Sequence, residues 1–421
     1  MDTPTSRPTS AVTVMGRQVP IWLAALVPLV ALGLLLSVFT FGNPLALFRS
    51  NIPPAEELTF DRIQVTQDGF RVTLVNGGPA EVTVSQVQVD QAYWSFGMTP
   101  SNTIPRLGRA ELDIHYPWVT GEPNLIRVLT STGLAFEGLV EAAVPTPLPG
   151  VRQFLAYGLV GIYVGIIPVV LGMLWYPAMR RLERRWMGAI LSLTIGLLVF
   201  LLIDTLLEGL EVGSELPGAF QGVPLMLFSA LLAWLVLVAI GSSRASTGET
   251  DPARARVYLA GLIALGIGLH NLGEGLAIGA AFALGAGALG SFLVVGFTLH
   301  NITEGIGIVA PLIPARKTSN ELEETAPEPS PAWTHFAGLA FLAGAPAVAG
   351  TWIGGFAFSP VLATIFLGLG AGAIWQVIVE VGRLLQRDSR RDGTPLVSWF
   401  NLVGFLLGLA IMYFTAFLVK V

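Results

Sequence analysis

The chain has 421 residues, of which 53% are hydrophobic and only 12% charged, and its mean hydropathy is +0.69. Soluble domains carry about twice that charged fraction, so much of the apolar surface must face lipid, which excludes an ordinary soluble protein. Cysteine is absent, which excludes disulfides and thiolate ligands, so a metal site must use His, Asn, Gln, Asp or Glu. The formal net charge of −5 says little, because charges in a membrane protein matter through their positions.

The N-terminal segment changes character near residue 20. Residues 1–19 are polar and rich in Thr, Ser and Pro, which predicts a disordered cytoplasmic tail. An apolar run follows from Ile21 to about Phe41. It is longer than a typical signal-peptide core and lacks a small-x-small cleavage site, so we interpret residues 20–42 as a transmembrane signal anchor. A cleaved signal peptide is the alternative.

Residues 55–146 read as a separate β domain. Apolar and polar residues alternate there, and the runs break at Asp68-Gly69 and at Asn76-Gly77-Gly78. This period of two between turn residues predicts a small all-β sandwich of about seven antiparallel strands. The region contains no catalytic constellation, and His115 is interpreted as a strand or turn histidine.

Residues 150–421 contain eight further apolar segments, each long enough to span a bilayer. They cover about 152–176, 187–209, 219–241, 257–281, 287–313, 335–357, 360–386 and 396–419. The predicted fold class is thus an all-α polytopic membrane protein with an added anchor helix and a small β sandwich. The linker 315–333 is acidic, contains proline and has no histidine. This composition is typical of a flexible connection and not of a metal-binding loop.

Basic residues predict the direction of threading. A cytoplasmic N-terminus puts the Lys and Arg residues that flank the spans on one side, and the short loops on the other side contain neither. We therefore expect a multi-pass protein of the plasma or inner membrane, with the β domain and the C-terminus extracytoplasmic. The residues on the cytoplasmic side are Arg7, Arg17, Arg180, Arg181, Arg184, Arg185, Arg244, Arg254, Arg256, Arg316, Lys317, Arg383, Arg387, Arg390 and Arg391.

Two consecutive spans repeat a short word thirty residues apart: HNLGEG begins at His270 and HNITEG at His300. In a helix, residues four apart lie about 40° apart on one face. Each helix should therefore project an imidazole, an amide and a carboxylate together. The carboxylates of Glu274 and Glu304 would be buried in hydrocarbon, and neither span contains a Lys or Arg to neutralise them. A divalent cation would neutralise both at once, whereas a proton relay of Glu and His pairs is the alternative.

The paired words resemble the fourth and fifth helices of the ZIP (Zrt/Irt-like) metal transporters. The resemblance covers about residues 152–421 and implies an eight-helix bundle of the 3+2+3 type, in which the first and last three helices form an inverted repeat. It implies metal ligation by His270, Asn271, Glu274, His300, Asn301 and Glu304.

Two flanking stretches extend the resemblance. Residues 196–211 are similar to the second helix of the family, with Asp204 where a His is common, and residues 370–382 are similar to its seventh helix, including Glu380. The resemblance implies that Asp204 and Glu380 lie on the metal path near opposite faces. The alternatives are a solvated helix end for Asp204 and an ion pair with Arg383 for Glu380.

The sequence also departs from the family. Gly273 and Thr303 stand where many bacterial members have Pro, and Ala345 stands before Pro346 where the family usually has a carboxylate for a second ion. We therefore expect one metal ion at the centre. His335, at the edge of the sixth span, is interpreted as interfacial.

The function that the resemblance implies is transport of a divalent metal into the cytoplasm, with zinc first and iron, manganese or cadmium also admitted. The metal would be the transported substrate, with no permanently bound cofactor and no enzymatic activity. Other expected partners are the lipid bilayer and a second copy of the chain in a homodimer, without nucleic acid; the partner of the β domain stays open. Alternatives are an intramembrane metal-dependent hydrolase and a metal sensor.

Overall fold

A computed structural model describes residues 11–14, 17–41, 55–140, 142–245, 252–284, 286–313 and 331–420. The chain divides into two compact units, Met1–Pro54 and Ala55–Val421. In the first unit, β1 (Ala11–Val14) and β2 (Arg17–Pro20) pair as an antiparallel hairpin, followed by α1 (Ile21–Phe41). The hairpin differs from the disordered tail expected for residues 1–19. Residues 1–10 of that expectation lie outside the described residues.

The second unit begins with the β domain, whose described residues form nine strands in two sheets. One sheet has the order β3–β4–β9–β7, and the other has the order β11–β10–β5–β6 with β8 beside β5. The prediction of about seven strands missed short ones, because β6, β7 and β8 contain only two to four residues each, too few for a periodic pattern to be recognised. The strands are β3 (Leu58–Thr66), β4 (Gly69–Asn76), β5 (Val82–Val89), β6 (Ala92–Trp94), β7 (Phe96–Thr99), β8 (Thr103–Ile104), β9 (Arg109–His115), β10 (Asn124–Thr130) and β11 (Ala135–Val140).

The inward faces of both sheets share one apolar core. Phe70 and Leu74 of β4, Leu112 and Ile114 of β9 and Ile126 of β10 are almost completely buried in it. Buried and more exposed residues alternate along β9 and β10, as a strand with one face on a core requires. His115 ends β9 with an exposed side chain, opposite Gly69.

Among the described residues, eight helical spans follow, and each is long and apolar enough to cross a membrane. The structure thus confirms a mostly helical bundle whose helices could span a membrane, with a small N-terminal β domain. The first span, Val151–Met179, consists of α2 (Val151–Gly161), a π turn (Ile162–Ile166), α3 (Ile167–Met173) and α4 (Tyr176–Met179). The other spans are α5 (Arg184–Ser214), α6 (Gly222–Ala245), α7 (Pro252–Ala283), α8 (Gly287–Val309), α9 (Trp333–Ala357), α10 (Pro360–Asp392) and α11 (Trp399–Lys420).

Glycines bring the helices together as two groups. In group I, the first span packs with α7, α8 and α9. A Cβ added at Gly279 would lie 2.3 Å from the Thr351 carbonyl oxygen, and one at Gly172 would lie 1.9 Å from the Ile302 oxygen. Only glycine allows backbones to approach so closely, and small residues serve this purpose at helix interfaces in membranes.

Group II consists of α5, α6, α10 and α11, which meet in the same way. A Cβ at Gly372 would lie 1.9 Å from the Ala230 oxygen, and one at Gly404 would lie 2.2 Å from the Ala189 oxygen.

Between the groups, the backbones approach less closely. A Cβ at Gly266 would lie 2.5 Å from a methyl group of Val377 and 3.3 Å from the Ala373 oxygen, and one at Gly370 would lie 3.4 Å from His270 Cα. The interface between the groups is therefore less tightly interlocked than either interior.

The β domain rests on the connection between α5 and α6. The Glu57 carboxylate accepts a hydrogen bond of 2.7 Å from the backbone N–H of Gly218, and Pro217 packs against Gly77. We call this the β-domain end of the bundle. The opposite end, where α5 and α7 begin and α10 finishes, is called the arginine end because Arg180, Arg254 and Arg383 lie there.

The close approach of α7 and α9 generates a prediction about stability. Gly279→Ala should lower the melting temperature in detergent, because its methyl group would overlap the Thr351 carbonyl and the strain would cost about 1–3 kcal/mol. Gly261→Ala in the same helix is the matched control, since open space surrounds that position. It should leave the melting temperature unchanged or raise it slightly. Equal effects of the two substitutions would contradict the packing argument.

Candidate metal centre

The two repeated words lie side by side in the middle of α7 and α8. All six of their polar side chains are buried, with exposed fractions between 0 and 5%: His270, Asn271, Glu274, His300, Asn301 and Glu304. The helical spacing of four puts each His above its Glu, and the close packing of group I holds both helices in register. The structure thus brings together the six residues that the two words contain.

Glu274 lies between the two imidazoles. Its Oε1 atom is 3.1 Å from His270 Nε2 and 2.5 Å from His300 Nε2, and its Oε2 accepts a 3.2 Å hydrogen bond from the Asn301 amide. One ligand atom each from His270, His300 and Glu304 also lie within 4.8 Å of one another. Two imidazoles and a carboxylate at this separation are a suitable donor set for zinc and similar divalent ions.

Two broken helical turns orient the asparagines. The Asn301 amide nitrogen donates to the Val164 carbonyl at 3.1 Å. This carbonyl lies in the π turn of the first span, and Pro168, four residues later, has no N–H to donate to it. The Asn271 amide donates to the Ala343 carbonyl at 3.1 Å, in the turn of α9 just before Pro346.

Four buried acceptor atoms at the centre lack a hydrogen-bond partner among the described residues. They are Oδ1 of Asn271, Oδ1 of Asn301 and both carboxylate oxygens of Glu304. The N–H₂ group of each asparagine donates a hydrogen bond to a backbone carbonyl. The side-chain oxygen of each asparagine can therefore accept a hydrogen bond or coordinate a cation. An unsatisfied buried acceptor costs roughly 1–3 kcal/mol, and a buried carboxylate costs more. These oxygens are able to accept further hydrogen bonds or to coordinate a cation.

Helix α5 adds carboxylates on the β-domain side of this centre. Asp204 is half-buried and is close enough to His300 to interact with it electrostatically. Glu208, one turn further, interacts electrostatically with Asp204, His270 and Glu274 although its side chain is exposed at the surface of the chain. Sequence reasoning missed Glu208. The spacing of four from Asp204, which puts both carboxylates on one helix face, is the signal that could have found it.

Glu380 lies away from the centre, toward the arginine end. It accepts hydrogen bonds of 2.8 Å from Gln376 and of 2.8 Å from Arg383, the pairing that was the alternative to a role on the metal path. With these neighbours it lines a cavity of about 1040 Å³ at the arginine end. Asp204 and Glu380 therefore flank the centre from opposite sides, both on group II. His335 is exposed near the start of α9. It lies two turns before Ala343, the residue of α9 that contacts the metal centre through Asn271.

Neither a scan against protein-family models nor a search of curated proteins finds a match to this chain. The chemistry of the centre is therefore interpreted from its own residues and their geometry.

The unpartnered carboxylate predicts how metal binding responds to mutation. Glu304→Gln keeps the shape but removes the charge, so we expect zinc affinity to fall roughly hundredfold or more in calorimetric titration of the purified protein. Glu215→Gln is the control, because Glu215 is an exposed carboxylate at the end of the second span. Unchanged affinity in Glu304→Gln would show that this centre does not bind the ion.

Proposed function

We propose that this chain is a ZIP-like transporter that moves a divalent metal ion, zinc first, through the centre between α7 and α8. The observation that carries the proposal is Glu304: a carboxylate buried inside a membrane span, beside two imidazoles, with neither oxygen partnered among the described residues. A divalent ion supplies the missing charge and accepts the imidazole nitrogens as ligands. The six site residues then act as ligands or as their immediate supports.

Charge balance supports a single ion. Glu274 and Glu304 together neutralise one divalent cation, whereas the histidines and asparagines add only neutral donors. A second ion beside the first would leave an excess of two positive charges in a low-dielectric region unless another carboxylate, such as Asp204 or Glu208 of α5, joined it. Ala345, directly before Pro346 in α9, supplies no further carboxylate. Nitrogen and oxygen donors also admit iron, manganese and cadmium.

The division into two helix groups supports alternating access. The centre belongs to group I, whereas Asp204 and Glu208 on one side and Glu380 on the other belong to group II. Because the backbones of the two groups approach each other less closely than those within a group, one group would move as a body against the other and open the centre to the two faces in turn. The positive-inside rule puts the arginine end in the cytoplasm and the β domain outside the plasma or inner membrane. Transport past Asp204 and then Glu380 would be import.

Proton coupling is favoured by one contact. Glu274 lies between the two imidazoles. In the metal-free centre, a proton shared among His270, Glu274 and His300 would therefore neutralise the negative charge of the Glu274 carboxylate. Metal binding requires neutral imidazoles and releases such protons. No contact among the described residues favours the hydrolase or sensor alternatives.

The proposal predicts a graded loss of transport. In vesicles reconstituted with the purified protein, His270→Ala, Glu274→Ala and Glu304→Ala should abolish zinc uptake, because each removes a ligand or its supporting charge. Asp204→Ala, Glu208→Ala and Glu380→Ala should only reduce the rate, because these residues lie beside the centre. His115→Ala, an exposed histidine in the β domain, is the control. Normal uptake by the Glu274 and Glu304 variants would refute the proposal.

A further inference from the structure

The cavity at the arginine end, which we call the arginine cavity, is lined by more positively than negatively charged side chains. Among its described lining residues are seven arginines but only two carboxylates, Glu380 and Asp388. Arg180 and Arg185 come from the corner before and at the start of α5, Arg254 and Arg256 from α7, and the other three from α10. Such a concentration of guanidinium groups attracts anions, and phosphate groups in particular fit their geometry.

A second cavity adjoins it, and we call this one the apolar cavity. It has a volume of about 840 Å³ and lies between the end of α6, the first turns of α7 and the first turns of α9. Leu265, Leu339 and Leu342 are among its walls. The two cavities share Arg254, Arg256, Tyr258 and Leu262, so they meet at the first turns of α7.

The boundary between the cavities is fixed by a contact between helices. The Tyr258 hydroxyl donates a 2.5 Å hydrogen bond to the Ile240 carbonyl, which joins α7 to the end of α6. The arginine cavity, with its charged side chains, lies on one side of this contact, and the apolar cavity, with its leucines, lies on the other. A ligand that fills both cavities must therefore carry an anionic group joined to a hydrocarbon chain.

The positive-inside rule accounts for the number of arginines at this end but not for this arrangement. Arg181 and Arg390 obey the same rule, and neither is among the residues that line the cavities. Arginines from separate helices converge on one cavity, and two of them also border an apolar space. A convergence of guanidinium groups at the border of an apolar space is the arrangement that a site for an anionic, lipid-like ligand would have.

We propose that the paired cavities bind one anionic phospholipid. Its phosphate lies among the arginines at the boundary, with Arg254 and Arg256 as the nearest contacts, and an acyl chain occupies the apolar cavity. Basic pockets between helices at the cytoplasmic face are typical sites for anionic headgroups. The negative charge of the lipid would also balance part of the positive charge of the arginines near Glu380. This proposal concerns a site separate from the metal centre and does not depend on metal transport.

The test uses the purified full-length chain in mixed micelles of equimolar phosphatidylglycerol and phosphatidylcholine, with retained lipid counted by native mass spectrometry. We expect retention of phosphatidylglycerol over phosphatidylcholine by roughly tenfold, a difference of about 1.4 kcal/mol. The double variant Arg254→Gln with Arg256→Gln should bring the ratio to about one. The matched double variant Arg181→Gln with Arg390→Gln should retain the preference. Loss of the preference in both variants would show a general charge effect and overturn the proposal.

Two further arms separate a lipid from a free anion. Gly338→Leu should fill the apolar cavity without a clash, because Gly338 lines it and open space surrounds its Cβ position. This variant should lose lipid retention while its melting temperature without lipid stays near that of the wild type. If inorganic phosphate alone displaces phosphatidylglycerol, or if Gly338→Leu retains the lipid fully, the apolar cavity plays no part. The phospholipid proposal would then be wrong and a free phosphate would be the ligand.

Discussion

The structure depends on one constraint: two carboxylates are buried in the middle of membrane spans, where a charged group without a partner is expensive. Glu274 meets this constraint through two imidazoles and the Asn301 amide. Neither carboxylate oxygen of Glu304 accepts a hydrogen bond from the described residues, although the imidazoles of His270 and His300 lie close to it. The two carboxylates therefore differ: Glu274 is stabilised by its hydrogen-bond partners, whereas Glu304 is available to bind a cation.

The surrounding fold positions the side chains of that centre through hydrogen bonds and through close helix packing. The π turn before Pro168 and the turn of α9 before Pro346 supply the backbone carbonyls of Val164 and Ala343, to which the asparagine amides donate hydrogen bonds. Glycine contacts such as that of Gly279 with Thr351 then hold α7, α8, α9 and the first span together as one group. A rigid first group and a softer interface to the second are what alternating access needs, because the ligand geometry survives while the surroundings change.

Much of this arrangement could be predicted from the sequence, and the omissions have physical reasons. Long apolar runs fix the helical spans through their length alone, and the spacing of His270 to Glu274 and of His300 to Glu304 fixes which side chains share a face. The carbonyl partners of the asparagines could not be predicted, because they come from helices more than seventy residues away in sequence. Glu208 was missed because its approach to His270 depends on how α5 packs against α7. The short strands β6 to β8 are formed by tertiary pairing and leave no periodic signal.

The central claim is that a single divalent ion occupies the space between α7 and α8. Anomalous scattering from crystals soaked in zinc tests it most directly. We predict one strong peak, with a nitrogen of His270 and of His300 and an oxygen of Glu304 at about 2.0–2.2 Å. Absence of a peak at these residues in protein that still takes up zinc would contradict the claim, and two strong peaks within about 5 Å of each other would contradict the single ion.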